Sequence, residues 1–404
     1  MTQAAPRICF VSAHFPPDVG GIQNYTLEVA TRLARQHPGF FLATMPAKQR
    51  RSASAENVAF PVHRVGLRLD ELALSGVPGL LRLCRKHRPD AALAAHWAPA
   101  AALATVRRLT GYPRRIVTVS HGKDAVQMPF AARSPAGRFY AHTRRRGLGQ
   151  SDALIAVSRF VAHNLTRAGY PESRITVVNN GVSAARFSAS DGATAKQALG
   201  LEGKTVLLSA ARLIPRKGLD LSLRAFALAR AAEPNRALHH VIVGSGKEEA
   251  ALRALAQELG LSTHVTFAGE VGYAAMPAYY HACDIFMLLP RDLPGDVEGF
   301  GLVFLEAGAC GKPVIGARAG GVVDAIDDAR TGLLIAPDSP QAAASALLAL
   351  LRDPERAHAL GDEGRRQALG PRSWDAACTQ IADILCAALP GKACVGELPV
   401  QDGG

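Results

Sequence analysis

The sequence lacks long apolar runs. None approaches the roughly 18 to 20 residues of a membrane-spanning helix, and the first six residues lack the charged start and apolar core of a signal peptide. The seven cysteines form no C-x-x-C pair and fall mostly in apolar or helical contexts, which predicts buried thiols and neither a zinc site nor a disulfide framework. We therefore expect a cytoplasmic protein.

Two common ligand-binding motifs are also missing. The first strand is followed only by the adjacent glycines 20 and 21, and the later turn V-G-S-G ending at Gly246 has no third glycine, so no G-x-G-x-x-G dinucleotide fingerprint is present. No Asp-x-Asp metal motif occurs. The sequence accordingly predicts no nicotinamide cofactor and no required metal.

Acidic residues are scarce in the first half of the chain. Residues 1–187 contain 26 Lys and Arg against 9 Asp and Glu, a net charge of +17, while the remainder has 20 against 25, a net of −5. This positive charge is consistent with an anionic partner such as a membrane surface, a lipid-phosphate acceptor or nucleic acid. The alternative is an arginine-rich surface that only faces solvent. Because basic and aromatic repeats are not interleaved and no zinc module occurs, we expect no nucleic-acid partner.

What is present is an alternation of strands and helices in two series. Buried strands are predicted at residues 7–12 and 205–211, and each begins a run of α/β units. The small, polar segment 188–194 is typical of a hinge. We expect an N-terminal domain over 1–187, a second domain over 188–374, a helix over 375–390 and a disordered tail over 391–404.

Residues 298–316 read EGFGLVFLEAGACGKPVIG, which predicts a turn, a helix over 302–309 and a short strand. If the helix begins near Gly301, its free N–H groups lie beside Glu298, and Glu306 follows about a turn and a half later. An anion site flanked by two acids suits a ligand that carries both phosphate and hydroxyls. The alternative is a buried helix with an acid at each end.

Other polar residues stand where strands end. Arg212 and Lys217 follow a predicted strand and precede a helix, a spacing that suits a diphosphate, since Arg forks across two oxygens and Lys supplies a point charge. His121 ends the strand over 116–120 and is either a structural histidine or a ligand-binding one. Residues 133–149 are rich in arginine with Phe139 and Tyr140 interleaved, which indicates an interfacial helix or an ordinary polar helix face.

These motifs together resemble one family. The stretch 298–306 resembles the E-x7-E signature of the retaining GT-B glycosyltransferases called glycosyltransferase family 4, and P-P-x-x-G-G, H-G-x-D and R-x4-K-G occur in the family's order over about residues 10–390. The chain departs from the pattern at Ser183, where Asp is usual, and at Asp324, where Glu is usual.

The resemblance implies an α/β GT-B fold of two facing Rossmann-like domains, with the donor in the cleft and the last helix crossing back to the first domain. It implies catalytic roles for four residues: His121, Arg212, Lys217 and Glu298. It also implies that the following residues bind the donor, with Glu298 at the sugar and Glu306 at the ribose: Gly20, Gly21, Gly244, Glu270, Val271, Gly299, Phe300, Gly301, Leu302, Val303 and Glu306.

The implied activity is transfer of a hexose from a nucleotide sugar with retention, the departing diphosphate accepting the acceptor's proton. The acidic linker 291–297 and the basic first domain resemble bacterial phosphatidylinositol mannosyltransferases, which favours GDP-mannose, a lipid or polysaccharide acceptor, and a position in the cytoplasm or at the inner face of the cell membrane. The alternatives are a UDP-hexose enzyme acting on small molecules and a non-catalytic nucleotide-sugar binding protein.

Overall fold

The structure is a computed structural model that describes residues 5–16, 20–46, 58–66, 72–122, 125, 135–187, 191–387 and 389. Residues 123 and 124 of the H-G-x-D motif, 188–190 of the expected hinge and the tail 391–404 lie outside the described residues. Across the described ranges, no helix is both long and apolar enough to cross a membrane.

The chain divides into two compact units. Unit 1 comprises Met1–Val178 together with Trp374–Gly404, and unit 2 comprises Asn179–Ser373. The first boundary therefore lies before the predicted 187/188 position. The physical reason is Phe187, which is fully buried in unit 2 with its ring 5.7 Å from that of Tyr280, and whose carbonyl accepts a hydrogen bond from Cys310 Sγ at 3.1 Å.

Unit 1 contains one parallel sheet of seven strands in the order β3-β2-β1-β4-β5-β6-β7. The strands are β1 (Ile8–Ser12), β2 (Phe41–Thr44), β3 (Val62–Arg64), β4 (Ala91–Ala94), β5 (Arg115–Ser120), β6 (Ala153–Ala156) and β7 (Ile175–Val177). Its helices are α1 (Gly21–Gln36), α2 (Val77–His87), α3 (Trp97–Thr110), α4 (Pro135–Gly149), α5 (Arg159–Arg167) and the last helix of the chain, Trp374–Cys386.

The apolar runs of β1, β2, β4 and β6 are buried along their whole length, as expected for the central strands of a parallel sheet covered on both faces, whereas the edge strands β3 and β7 are only partly buried. β1 is buried at every position and pairs with β2 on one side and β4 on the other, with Cys9 opposite Phe41 and Ala92. Ser158 caps α5 as its sequence position predicts, since its Oγ accepts the Val161 N–H at 3.2 Å.

Unit 2 contains a second parallel sheet, of six strands in the order β10-β9-β8-β11-β12-β13. The strands are β8 (Thr205–Ala210), β9 (Leu238–Val243), β10 (Val265–Gly269), β11 (Ile285–Leu288), β12 (Val314–Ala317) and β13 (Gly332–Ile335). The helices are α6 (Ala184–Phe187), α7 (Gly192–Ala198), α8 (Leu219–Ala232), α9 (Glu249–Glu258), α10 (Met276–Ala282), α11 (Leu302–Ala309), α12 (Val322–Ala325), α13 (Pro340–Arg352) and α14 (Pro354–Leu369), and Trp374–Cys386 of unit 1 is α15.

The predicted α/β architecture is thus confirmed, with one parallel Rossmann-like sheet in each unit. In unit 2 the order of strands reverses between β8 and β11, because β9 and β10 continue on one side and β12 and β13 on the other. Ligands of open α/β sheets bind at such a reversal, outside the carboxyl ends of the strands.

Candidate active site

The reversal in unit 2 brings two distant sequence segments together. β8 and β11 are hydrogen-bonded neighbours, with Ile285 opposite Leu207, so the loops that leave their carboxyl ends are adjacent. The loop after β8 contains Arg212 and Lys217, and the loop after β11 contains Glu298. The sequence alone places these residues about 80 positions apart.

Glu298 is the centre of a buried ion cluster. Lys217 Nζ donates to its Oε2 at 2.5 Å, and Arg216 Nη1 donates to the same oxygen. Arg216 also donates through Nε to Asp296 Oδ1 at 3.0 Å. The side chains of Lys217 and Glu298 are 13% and 11% exposed, so this pairing takes place largely out of water.

The cluster keeps Glu298 ionised. Burial alone would raise the pKa of this carboxyl, but the charges and hydrogen bonds of Lys217 and Arg216 outweigh burial and lower the pKa from 4.5 to about 2. At neutral pH the residue is therefore a carboxylate, which accepts hydrogen bonds and does not donate them.

The Lys217 side chain is largely buried, whereas a donor-binding lysine in an open cleft would be expected to face solvent. Burial lowers its pKa most, and the nearby Arg216 and Arg212 lower it further, against the opposing effect of Glu298. Arg212 is exposed, although it lies close enough for its charge to act on Lys217. The two predicted cations thus have different surroundings: one is held in the ion cluster and the other faces solvent.

The loop after Glu298 leads directly into α11. Gly301 is its N-cap, with a φ of 97° that favours glycine, and the helix spans Leu302–Ala309 as predicted. The Gly321 N–H donates to the Glu298 carbonyl at 2.8 Å, and a Cβ on Gly321 would overlap the carbonyl oxygen of Gly299. Close backbone packing therefore fixes the loop that leads from Glu298 into α11.

The resemblance implies that residues 299–303 contact the donor. At Phe300 the side chain is only 3% exposed, so such a contact would have to be made by its backbone. Leu302 and Val303 occupy the first turn of α11 and are partly buried. The positive end of a helix dipole favours an anion at this position.

Glu306 lies on α11 and is held by a tyrosine. The Tyr280 hydroxyl donates to Glu306 Oε2 at 2.7 Å, and both side chains are buried. Burial raises the pKa of Tyr280 well above its ordinary value, with Glu306 as a second cause, so the phenol stays a donor. The predicted ribose contact of Glu306 stays a prediction.

Gly244 allows two loops to touch. A Cβ there would overlap the carbonyl oxygen of Ala211, and Leu213 N donates to Ser245 O at 2.9 Å, so the turn after β9 packs against the loop that holds Arg212. Glu270 is exposed after β10 and accepts a hydrogen bond from Ser245 Oγ at 3.2 Å. Val271 follows it and is partly buried. These residues border the same edge of the sheet.

The remaining predicted residues belong to unit 1. Gly20 is the N-cap of α1 with a φ of 153°, and Gly21 begins that helix with open space around its Cβ position. His121 follows β5, and its ring lies 4.8 Å from that of Tyr25 in an edge-on arrangement. Burial, aided by the charge of His14, lowers the pKa of His121 to about 4, so its imidazole is neutral at pH 7.

Three participants were not selected from sequence: Arg216, Asp296 and Tyr280. A signal existed for Arg216, because it lies inside the R-x4-K-G motif next to Lys217, and for Asp296, because it lies in the acidic linker before Glu298. Tyr280 gave none, since an aromatic residue in a helix normally indicates packing. In the part of the chain that the structure describes, no group of three or more His, Cys, Asp or Glu side chains could hold a metal ion.

Two family models match the chain. Residues 192–367 match the model described as Glycosyl transferases group 1, and residues 19–186 match the model described as Glycosyltransferase Family 4.

Curated relatives match over nearly the whole chain. The chain is 31% identical over 385 residues to a GDP-mannose-dependent alpha-(1-6)-phosphatidylinositol monomannoside mannosyltransferase of Mycolicibacterium smegmatis, covering 93% of this chain and 97% of the relative. It is 34% identical over 393 residues to the protein of the same description from Mycobacterium tuberculosis strain H37Rv, covering 94% and 98%.

Solved structures share the fold. The structure of Anabaena Alr3699/HepE in complex with UDP superposes with a TM-score of 0.76 at 20% identity, covering 94% of this chain and 99% of that one. Sucrose-phosphate synthase from Thermosynechococcus elongatus superposes with a TM-score of 0.75 at 22% identity, covering 93% and 97%.

Proposed function

Because this chain belongs to glycosyltransferase family 4 and is a hexosyltransferase, we propose that it transfers mannose from GDP-mannose to a phosphatidylinositol-linked or other lipid-linked acceptor. The observation that carries the proposal is identity of 31–34% over almost the full length of relatives described as GDP-mannose-dependent mannosyltransferases of phosphatidylinositol mannosides. A polysaccharide acceptor or a UDP-hexose donor is the alternative outcome.

The donor diphosphate binds, in this proposal, at the carboxyl edge of the unit 2 sheet. Arg212 is exposed there, Lys217 is in the adjacent ion cluster, and the first N–H groups of α11 add the positive end of a helix dipole. Counting Arg212, Arg216 and Lys217 against Asp296 and Glu298, the charged side chains sum to +1. A diphosphate that draws Lys217 toward itself leaves Glu298 with Arg216 and able to accept hydrogen bonds from sugar hydroxyls.

Cleavage of the bond between sugar and diphosphate places negative charge on the leaving oxygen. Arg212, Lys217 and the helix amides interact more strongly with that charge than with the intact donor, which lowers the barrier. In the retaining route we propose, the same phosphate oxygen takes the acceptor hydroxyl's proton, and the product keeps the anomeric configuration of the donor. This route calls on no metal and no resident cofactor.

A lipid acceptor lies in a membrane, and the exposed face of α4 in unit 1 is suited to contact a membrane surface. One face of that helix packs on α3, where the Tyr140 ring lies 4.7 Å from Trp97. Arg138, Phe139 and Arg145 are exposed at helical spacing, and 54% of Phe139 faces solvent. Cations flanking an exposed aromatic ring are suited to the headgroup region of an anionic membrane, which supports a proposed peripheral position on the membrane.

The donor is tested by a thermal-shift screen of GDP, UDP, ADP and their sugars. A nucleotide at about 100 times its dissociation constant stabilises by about 2.7 kcal/mol, and we expect GDP and GDP-mannose to give the largest shift. A larger shift with UDP would refute the proposed donor while leaving the family unchanged.

Membrane contact is tested by co-sedimentation with vesicles containing phosphatidylinositol or phosphatidylglycerol. We expect binding that weakens as salt rises and that is reduced by Phe139→Ser and Arg145→Glu. The matched control is Arg167→Glu, a charge reversal at an exposed position of α5 in the same unit. Equal binding to neutral vesicles, or equal loss in the control, would contradict a specific role for α4.

A further inference from the structure

Unit 2 contains a cavity at the edge of its sheet opposite the candidate active site. Its volume is about 280 Å³, and its lining includes Thr205 and Ile285, the first residues of β8 and β11, and Pro313, which precedes β12. The residues of the ion cluster follow the carboxyl ends of β8 and β11. Since a strand of six residues is about 20 Å long, the cavity is separate from the donor-binding edge.

The polar lining contains two cationic side chains. Arg236 and Lys312 line the cavity together with His358. Lys312 Nζ donates to the His281 carbonyl at 3.0 Å, which fixes the ammonium group in place while leaving it two further protons to donate. Arg236 lies 3.8 Å from Glu233, whose other carboxylate oxygen pairs with Arg352 at 2.7 Å.

The one acid among the lining residues is already neutralised. Both oxygens of Asp284 accept from Lys196 Nζ, at 3.0 and 2.8 Å, and Oδ2 also accepts the Val206 N–H at 2.7 Å. Nearby, Asp353 caps α14 by accepting the Arg356 N–H at 3.0 Å. The lining thus contains two cations, and its one acid is paired with Lys196, while Arg236 makes a 3.8 Å ion pair with Glu233, which also pairs with Arg352.

The other walls are apolar. Leu350, Leu351 and Ala357 from α13 and α14 line the cavity together with Ile285 and Pro313. A second cavity of about 10 Å³, bounded by Phe226, Leu238 and Leu347, shares three lining residues with the first, namely Thr205, Ile285 and Leu351. A lining that contains both cations and aliphatic side chains suits a ligand with an anionic group and an apolar group.

We propose that this cavity binds a small organic anion, a phosphate or carboxylate attached to a compact apolar group, with Lys312 and Arg236 holding the anion. The volume lies at the low end of small-molecule sites, which exceed about 300 Å³ in most proteins, so the ligand is smaller than a nucleotide sugar. This site is additional to donor transfer and does not depend on it.

The test is isothermal titration calorimetry of the full chain with phenyl phosphate as the probe. The titration is done with excess GDP present, first on the unaltered chain and then on the Lys217→Ala variant. We expect one equivalent of phenyl phosphate to bind to each of the two proteins. Arg236→Gln and Lys312→Gln should each weaken binding about tenfold, the cost of one charge-assisted contact. Arg253→Gln, an exposed arginine of the same unit paired with Glu249, is the control that leaves binding unchanged.

Lys312 donates a hydrogen bond to the His281 carbonyl near the end of α10, so Lys312→Gln could also lower stability. Arg236 is exposed, and Arg236→Gln is therefore the variant expected to keep the fold. The proposal is overturned if phenyl phosphate fails to bind when GDP is present, if Arg236→Gln binds as tightly as the unaltered chain, or if inorganic phosphate binds as tightly as phenyl phosphate. The last result would mean that the apolar walls make no contribution.

Discussion

Replacing Lys217 by Ala should lower both the stability of the protein and its kcat/KM. When Glu298 is replaced as well, the stability cost of the Lys217 substitution should disappear while the loss of rate remains. Glu298 has its pKa lowered from 4.5 to about 2 by Lys217 and Arg216, against the effect of burial. A shift of that size corresponds to about 3 kcal/mol, because one pKa unit is about 1.4 kcal/mol. Divided between two cations, the loss of Lys217 should cost roughly 1.5 to 2 kcal/mol.

For a unit of this size, each kcal/mol changes the melting temperature by about 2 to 4 °C, so Lys217→Ala should lower Tm by about 3 to 8 °C. In the Glu298→Gln background the same substitution should cost nothing or should stabilise, since it removes a buried ammonium that has lost its carboxylate. Differential scanning fluorimetry of the four proteins gives the Tm shifts from which the coupling free energy is calculated.

The rate should behave differently. Removing the Lys217 charge should reduce kcat/KM by about 10- to 200-fold, the effect of about 1.5 to 3 kcal/mol of transition-state stabilisation. In the double variant the rate should not recover, although the stability cost of Lys217→Ala disappears. The measurement is GDP release from GDP-mannose in the presence of acceptor lipid. Equal stability costs in the two backgrounds would refute the ion pair, and a fully active folded Lys217→Ala protein would refute its role in transfer.

Arg216→Ala should lower stability by about 3 to 5 kcal/mol because it leaves Asp296 and Glu298 short of a buried cation, whereas the exposed Arg212→Ala should leave Tm nearly unchanged and reduce kcat/KM at least tenfold; similar Tm values for the two would contradict this contrast. Tyr280→Phe should weaken GDP binding severalfold in calorimetry, since the phenol positions Glu306, while Glu306→Ala should weaken it further; unchanged affinity in both would remove Glu306 from the nucleotide site. Thermal stability should fall as pH drops from 6.5 toward 4, because burial lowers the pKa of His121 and His239 to about 4 and of His240 to about 3, so the unfolded chain takes up protons first; below pH 4.5 Glu298 should add to the loss, and a Tm independent of pH between 4 and 6.5 would contradict these pKa shifts.

The elements that sequence predicted well are those set by local chemistry. The helix Leu302–Ala309 has the predicted bounds because Gly301 takes up the left-handed conformation before it and Gly311 does so after it. The caps and the alternation of buried strands with helices likewise follow from short-range pattern.

The contacts that sequence did not predict are long-range. Which of Arg212 and Arg216 turns inward depends on the short 3-10 turn Pro215–Lys217 and on carboxylates about 80 residues away. Tyr280 follows the helical pattern of a core residue, and only tertiary packing brings its hydroxyl to Glu306. The observed unit boundary differs from the predicted one for the same reason, because Phe187 is buried by residues far from it in sequence.

The most direct test of the proposed function is transfer of radiolabelled mannose from GDP-mannose into organic-soluble lipid, using phosphatidylinositol mannosides as acceptors and Glu298→Gln as the control. We expect labelled lipid with the unaltered chain, at least a hundredfold less with the variant, on the order of the loss of a charged contact to the sugar, and a mannosyl linkage with the anomeric configuration of the donor. Label that enters lipid from UDP-hexose and not from GDP-mannose, or equal transfer by Glu298→Gln, would contradict the account.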